Sequence, residues 1–211
     1  MTDQLIANPV NTMATLLSWL LVPMLMPVYG MLFIFNLSIL DFSPLRTKTA
    51  ITLIVFAINT LVPMLLVLAL KWFGIIKDLG LNGRAERTIP YAIIILAMGC
   101  TGWYLYSRGA PLWTAMFFCG GAAAGVVNMI INFKWKISAH AAGCAGVFAL
   151  LIHIAHQGLP VPGVFSWLVV WTIVCGLLGS ARIWLRRHSL LQILAGFITG
   201  FLGVYLMMMI Q

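Results

Sequence analysis

Two residue types with a known capacity for phosphate chemistry occur together near the end of the chain. The stretch 180–192 reads S-A-R-I-W-L-R-R-H-S-L-L-Q, so that Arg182 lies six residues before His188 and Gln192 lies four residues after it. A histidine ring can attack phosphorus as a nucleophile, and an arginine guanidinium is a planar fork that matches phosphate oxygens. On a helix, residues 188 and 192 share a face, so the side-chain carbonyl of Gln192 can orient the ring of His188.

Two earlier stretches carry the same kinds of residues. The first polar stretch reads K-D-L-G-L-N-G-R-A-E-R-T-I-P over 77–90, the second reads K-I-S-A-H over 136–140, and 180–192 is the third. The second stretch offers a hydroxyl and another imidazole, which can serve as general acid and base. The candidate residues in these two stretches are Lys77, Arg84, Arg87, Lys136, Ser138 and His140.

The three stretches together resemble the membrane-bound type 2 phosphatidic acid phosphatase superfamily, the lipid phosphate phosphatases. The pattern of that family is K-x6-R-P, then P-S-G-H, then S-R-x5-H-x3-D, and the order matches here, as does the spacing within the first and third stretches. The resemblance implies an enzyme that needs no metal or cofactor and hydrolyses a lipid phosphomonoester or polyprenyl pyrophosphate through a phosphohistidine. It implies the nucleophile His188 and the general acid His140. The phosphate-holding residues that it implies are Lys77, Arg84, Ser138 and Arg182.

The main departure from the family pattern is Gln192, which stands where the family has Asp. An Asp accepts a hydrogen bond from the nucleophile's ring and stabilises its positive charge, so a slower enzyme is expected here. Asp78 or Glu86 of the first stretch could supply a carboxylate instead. The alternative hypothesis is a catalytically impaired relative that binds lipid phosphate groups without turnover. Gln192 also has a structural interpretation, because Ser189 and Gln192 form the S-x-x-Q pattern of a capping box.

Other departures concern the first two stretches. Ile137 and Ala139 replace the Pro and Gly of the second motif, which places a Cβ beside the phosphate. In the first stretch Arg84 is followed by Ala85 rather than proline, and a second arginine, Arg87, follows. The spacing from the lysine favours Arg84, and Arg87 stays a second candidate.

These stretches must be held between membrane-spanning helices. Of the 211 residues, 63% are hydrophobic and 8% are charged, whereas a soluble domain is roughly half apolar and about a quarter charged. Six segments are free of charge: 12–40, 49–70, 91–107, 109–133, 137–181 and 189–211. The fifth is long enough for two helices, divided by the G-L-P-V-P-G run at 158–163. We therefore predict one all-α membrane domain over 1–211 with six to seven spans, the first kinked at Pro23 and Pro27.

The charge distribution limits the classes of partner that the protein is expected to bind. The formal net charge is +8, from 12 Lys and Arg against 4 Asp and Glu. Such a balance suits phosphate or anionic membrane lipids, and nucleic acid is excluded because no soluble basic domain exists to hold it. If all seven segments span, the three polar stretches fall on one side of the membrane. We expect the inner (plasma) membrane, and the orientation and oligomeric state stay open because the positive-inside rule and a phosphate site predict the same asymmetry.

The residues outside the three motifs have structural interpretations. Four cations are expected to contact lipid headgroups: Lys71, Lys134, Arg186 and Arg187. The four cysteines lie in apolar segments without a C-x-x-C pair, so they are interpreted as packing residues rather than as a disulfide or metal site. A transporter or channel is disfavoured, since the charged groups are concentrated at the span ends rather than at mid-depth.

Overall fold

The computed structural model describes residues 9–80, 83–157 and 163–210, which form nine α-helices and no strand. The helices are α1 (Pro9–Leu20), α2 (Met26–Leu37), α3 (Leu45–Phe56), α4 (Val62–Trp72), α5 (Thr88–Ser107), α6 (Leu112–Asn132), α7 (Ala139–His156), α8 (Val164–Trp184) and α9 (Leu190–Met208). Within the described residues, seven helical segments are long and apolar enough to cross a membrane. The prediction of an all-α polytopic bundle is confirmed, and the chain is an integral membrane protein.

Two of the seven spans are each built from two helices. The first span is interrupted at Pro23–Leu25 by a 3-10 turn, because a proline ring cannot continue a regular helix. The second changes to a π-helical turn at Ala57–Leu61, just before Pro63. The Thr60 hydroxyl donates to the Met24 carbonyl oxygen at 2.7 Å, so the two irregular turns hold each other. The predicted kink in the first span is confirmed.

The division between the fifth and sixth spans falls largely outside the described residues. Residues 158–162, which contain most of the predicted Gly/Pro run, are not among them. On either side, α7 ends at His156 and α8 begins at Val164, after Gly163 in the left-handed region (φ +96°). The segment 137–181 therefore does contain the greater part of two helices.

Helix α7 lies at the centre of the bundle, and α9 packs directly on its N-terminal half. A Cβ added to Gly196 would lie 2.5 Å from the Ser138 carbonyl oxygen, and one added to Gly200 would overlap the carbonyl of Ala142. Small residues allow this close backbone approach between membrane helices. The Ser138 N–H also donates to the Gln192 backbone carbonyl at 3.2 Å. This contact fixes the second polar stretch against the third.

Two hydrogen bonds between polar side chains join different spans. The Asn59 amide donates to the Thr101 hydroxyl at 2.7 Å, which ties the second span to α5. The Thr199 hydroxyl donates to the Asn128 side-chain oxygen at 2.8 Å, which ties α9 to α6. Such bonds matter because an unpaired polar group in hydrocarbon is costly. The four cysteines are free thiols, of which Cys144 is buried and Cys100 is exposed.

Candidate functional site

The end of α8 turns the chain so that Arg182 and His188 can meet. The Arg187 N–H donates to the Arg182 carbonyl at 3.0 Å, and the Arg186 N–H donates to the Ile183 carbonyl at 2.8 Å. These two bonds form a Schellman motif, with Arg186 at the left-handed position (φ +52°) that glycine usually occupies. A straight helix would leave residues 182 and 188 on different faces. The turn instead places both side chains on one cavity.

This site cavity has a volume of about 250 Å³ and lies at one end of the bundle, where α1, α4, α5, α7 and α8 approach one another. Its polar lining includes two imidazoles and three guanidiniums, which belong to His140, His188, Arg87, Arg182 and Arg187. Its apolar wall is formed by Trp19, Val22, Pro23, Met24, Val67, Pro90, Ile94 and Leu185. None of the described residues that line it is Asp or Glu. The site cavity thus combines a cationic end with an apolar wall, which suits an anionic amphiphile.

The hydrogen bonds of His188 determine which ring nitrogen is free. Gln192 Oε1 accepts a hydrogen bond from the backbone N–H of Ser189 at 3.2 Å, so this atom is the carbonyl oxygen of the amide. His188 Nδ1 lies 3.1 Å from the same oxygen and must therefore carry the proton. The lone pair of the neutral ring then resides on Nε2. Both expectations for Gln192 are confirmed, because it orients His188 and also closes a capping box with Ser189.

The electrostatic surroundings keep His188 neutral. Burial lowers the pKa of the His188 imidazole to about 3, and the positive charges of Arg87 and Arg182 contribute to this shift. The hydrogen bond that the His188 ring donates to Gln192 opposes this shift. The side chain is 7% exposed. At neutral pH the ring is therefore uncharged, which is the state that a nucleophile requires.

His140 lies at the start of α7, and the backbone of α1 holds its ring. His140 Nε2 is 3.2 Å from the Ser18 carbonyl oxygen, which can only accept, so Nε2 carries the proton and Nδ1 is the second titrating atom. The first turn of α7 borders the site cavity through Ala139 and His140. The free N–H groups of such a turn attract anions.

Ser138 has a different position from the one that the motif suggests. It is fully buried, and its hydroxyl oxygen accepts from the Ala141 N–H at 3.3 Å as the N-cap of α7. It is not among the residues that line the site cavity. In this structure Ser138 fixes the start of the helix that carries His140, rather than presenting its hydroxyl to the site cavity.

The two arginines of the first stretch separate into different environments. Arg84 is exposed, and its guanidinium donates to the Lys134 carbonyl at 2.6 Å, outside the site cavity. Arg87 is 7% exposed, lines the site cavity and donates to the Ile137 carbonyl at 3.2 Å. The preference for Arg84 from spacing is therefore corrected in favour of Arg87. The 3-10 turn Ala85–Arg87 explains the difference, because it directs the second arginine inward ahead of α5.

Four candidate residues from the first two polar stretches do not line the site cavity: Lys77, Lys136, Asp78 and Glu86. Lys77 is exposed and does not line it, although Leu79 and Gly80 of the same loop do. Burial lowers the pKa of the half-buried Lys136, and the charges of Arg87, Arg182 and Arg187 lower it further, so Lys136 lies close to the arginines. Asp78 and Glu86 do not line the site cavity either.

Arg182 is a buried cation with an unsatisfied donor. It is 9% exposed, and its Nε has no hydrogen-bond partner among the residues that the structure describes. Burying an unpaired charge is expensive, and like charges around one small space add to the cost. An anion with several oxygens would reduce both the cost of burying the Arg182 charge and the repulsion between the neighbouring cations. Phosphate has this character and matches the fork of arginine.

Some lining residues were not anticipated from the sequence. Arg187 was expected among the lipid headgroups but lines the site cavity. Residues of α1, including Ser18 and Trp19, also line it, and nothing in their types predicted this. Tyr91 lines it as well, and its position four residues after Arg87 is a signal that could have been used, since such residues share a helix face.

Among the described residues, no group of three or more His, Cys, Asp or Glu side chains is placed to hold a metal ion. Comparisons with protein-family models, with curated proteins and with solved structures found no match to this chain.

Proposed function

We propose that this integral membrane protein is a phosphatase of the inner (plasma) membrane that hydrolyses a lipid phosphomonoester or a polyprenyl pyrophosphate. The observation that carries the proposal is one cavity lined by two imidazoles and three guanidiniums with no carboxylate among its described lining. The resemblance of the three polar stretches to the type 2 phosphatidic acid phosphatases supports the same chemistry. In that mechanism the phosphoryl group passes through a covalent phosphohistidine at His188 and needs no metal.

Binding of the substrate would use both ends of the site cavity. The guanidiniums of Arg87, Arg182 and Arg187 hold the phosphoryl oxygens, and the Arg182 Nε–H gains the partner that it lacks. The apolar wall accepts the first part of the lipid chain. Positioning and charge stabilisation of this kind supply most of the catalysis in phosphoryl transfer.

In the first chemical step the lone pair of His188 Nε2 attacks phosphorus. A new N–P bond forms, the bond between phosphorus and the leaving oxygen breaks, and its electron pair stays on that oxygen. In the substrate complex His140 is the imidazolium, stabilised by the negative charge of the bound phosphoryl group, with its Nε2–H held by the Ser18 carbonyl and a second proton on Nδ1. His140 delivers this second proton to the leaving group. Because Nε2 is the atom bound to Ser18, the proton comes from Nδ1. The Gln192 carbonyl stabilises the charge that develops on the ring of His188.

In the second step water attacks the phosphohistidine. His140, now carrying a free lone pair, takes a proton from the water as its oxygen bonds to phosphorus. The N–P bond breaks, its electrons return to His188 Nε2, and inorganic phosphate is released. Both imidazoles recover their starting states, so the cycle balances.

The test is phosphate release from purified protein in the presence of EDTA. A panel of phosphatidic acid, phosphatidylglycerol phosphate, polyprenyl pyrophosphate and lipid A phosphate is offered to the wild type and to His188→Ala. We expect release from at least one lipid by the wild type and none by the variant. His156→Ala is the matched control, because His156 is exposed at the far end of α7 and does not line the site cavity. Equal rates for wild type and His188→Ala on every lipid would refute the proposal.

A second candidate function is the binding of lipid phosphate groups without turnover. The observation that favours it is Gln192, whose neutral amide stands where the family has a carboxylate and contributes no full charge to His188. The discriminating variant is Gln192→Asp. If this change creates phosphatase activity that the wild type lacks, the binding function is the correct one.

A further inference from the structure

Tyr91 carries a buried hydroxyl that has no hydrogen-bond partner among the residues that the structure describes. The side chain is 6% exposed and lines the site cavity. Its hydroxyl oxygen is buried and makes no hydrogen bond. Tyr91 lies on α5, four residues after Arg87, so both side chains project from the same helix face toward the site cavity.

An unpaired hydroxyl in this position needs an explanation. A buried donor without an acceptor destabilises the protein, and phenylalanine would fill the same space without that cost. Tyr29 provides the contrast within this chain, because its hydroxyl donates to the Leu20 carbonyl at 2.9 Å and it does not line the site cavity. The Tyr91 hydroxyl therefore suits an acceptor that arrives with a ligand.

We propose that Tyr91 is a substrate-binding residue, whose hydroxyl donates a hydrogen bond to an oxygen of the phosphoryl group held by Arg87. A phenol is a neutral donor, and a phosphoryl oxygen next to guanidiniums is an anionic acceptor, so the bond is of the stronger, charge-assisted kind. The inference rests on the proposed function for its substrate, but the contact itself requires only binding. It adds a residue of α5 to a site that the three polar stretches do not fully describe.

The test compares Tyr91→Phe with the matched control Tyr29→Phe. The probes are inorganic phosphate and orthovanadate, and their affinities are measured by the shift in thermal unfolding of the purified protein in detergent. We expect Tyr91→Phe to weaken both anions by about ten- to a hundred-fold, the range for a hydrogen bond to a charged group. In the ligand-free protein it should unfold at the wild-type temperature or above, because the hydroxyl has no partner to lose.

The control should show the opposite pattern. Tyr29→Phe loses an internal hydrogen bond, so its unfolding temperature should fall while its affinity for both anions stays at the wild-type value. A merely structural role for Tyr91 would lower the unfolding temperature of Tyr91→Phe without changing the affinities. That result, or unchanged affinities at any stability, would overturn the inference.

The outcomes also separate this inference from the proposed function. If the wild type binds phosphate without hydrolysing any lipid and Tyr91→Phe binds it more weakly, the Tyr91 contact stands and the phosphatase proposal fails. If the wild type hydrolyses a lipid phosphate and Tyr91→Phe retains the wild-type affinities and kcat/KM, the Tyr91 inference alone fails. Failure of the wild type to bind either anion would overturn both.

Discussion

Replacing Arg182 by methionine should stabilise the phosphate-free protein while removing its affinity for phosphate. Arg182 is 9% exposed, its Nε has no partner, and it lines the site cavity with Arg87 and Arg187 and without a described carboxylate. Methionine has a similar length, and it fills an irregular apolar space without a charge. The variant therefore removes a repulsion between cations that a bound anion would relieve.

The size of the effect follows from the size of the site cavity. A volume of about 250 Å³ corresponds to a sphere roughly 8 Å across. At about that separation, and with an effective dielectric constant of about 20, two like charges repel by about 2 kcal/mol. Arg182 faces two such charges, and water and ions within the site cavity screen part of the total. We expect the free energy of unfolding of the phosphate-free protein to rise by about 2 kcal/mol in Arg182→Met.

The assay is thermal unfolding in detergent with and without inorganic phosphate. Wild type should be stabilised by phosphate, whereas Arg182→Met should start from a higher unfolding temperature and gain little. Arg108→Met is the control, because this arginine lies over the Tyr104 ring, outside the site cavity, and its loss should not raise stability. A lower unfolding temperature for phosphate-free Arg182→Met, or an undiminished response to phosphate, would refute the electrostatic reasoning.

Three further predictions address the fold and the titration of the site. Gly200→Ala should lower the free energy of unfolding by about 1–3 kcal/mol and reduce kcat/KM, because the added Cβ overlaps the Ala142 carbonyl and separates α9 from α7. Chemical denaturation would measure the stability and the lipid assay would measure kcat/KM, and wild-type values for both would contradict the prediction. Arg186→Gly should raise the free energy of unfolding by about 1 kcal/mol at unchanged kcat/KM, since glycine adopts the left-handed backbone conformation of this position without the strain that an arginine has there. A loss of stability would argue against the Schellman turn. The pKa of His188 is about 3 in the folded protein against an ordinary 6.5, so below 6.5 the unfolded chain binds the extra proton and stability falls as the pH is lowered toward 3. From pH 7 to pH 4 the unfolding temperature of the wild type should therefore fall relative to that of His188→Phe, and parallel curves would exclude this contribution.

Much of the fold could be predicted because hydrophobic length is a local property of the sequence. The charge-free segments identified the seven spans, and Pro23 identified the break in the first of them. Segment ends were less accurate where a helix continues through charged residues. The third span begins at Ala85 rather than at 91, since its first turns carry Arg87 and are buried against the rest of the bundle.

The parts of the site that depend on neighbouring residues were also predictable. The capping box and the hydrogen bond from His188 to the Gln192 side chain follow from spacings of three and four residues along the chain. The turn that brings Arg182 and His188 to the same cavity lies at Arg186, and the sequence has no glycine at this position that would have predicted it.

The remaining features depend on packing between distant segments. Spacing along the chain could not distinguish Arg84 from Arg87, because a single 3-10 turn decides which side chain enters the site cavity. The contribution of α1, through the Ser18 carbonyl that binds His140, depends on where the first span packs. Backbone groups carry no side-chain signature, so sequence patterns do not reveal such a contact.

The central claim is a covalent bond between phosphorus and His188 Nε2. Its most direct measurement is to incubate the His140→Ala variant with a hydrolysable lipid phosphate, stop the reaction under alkaline conditions that preserve phosphohistidine, and map the modified peptide by mass spectrometry. The substrate is polyprenyl pyrophosphate, because its leaving phosphate group departs without a proton from a general acid. The variant then retains the nucleophile and lacks only the base for the second step, so phosphate should accumulate on His188. A phosphoryl group on any other residue, or lipid hydrolysis by His188→Ala at the wild-type rate, would contradict the account.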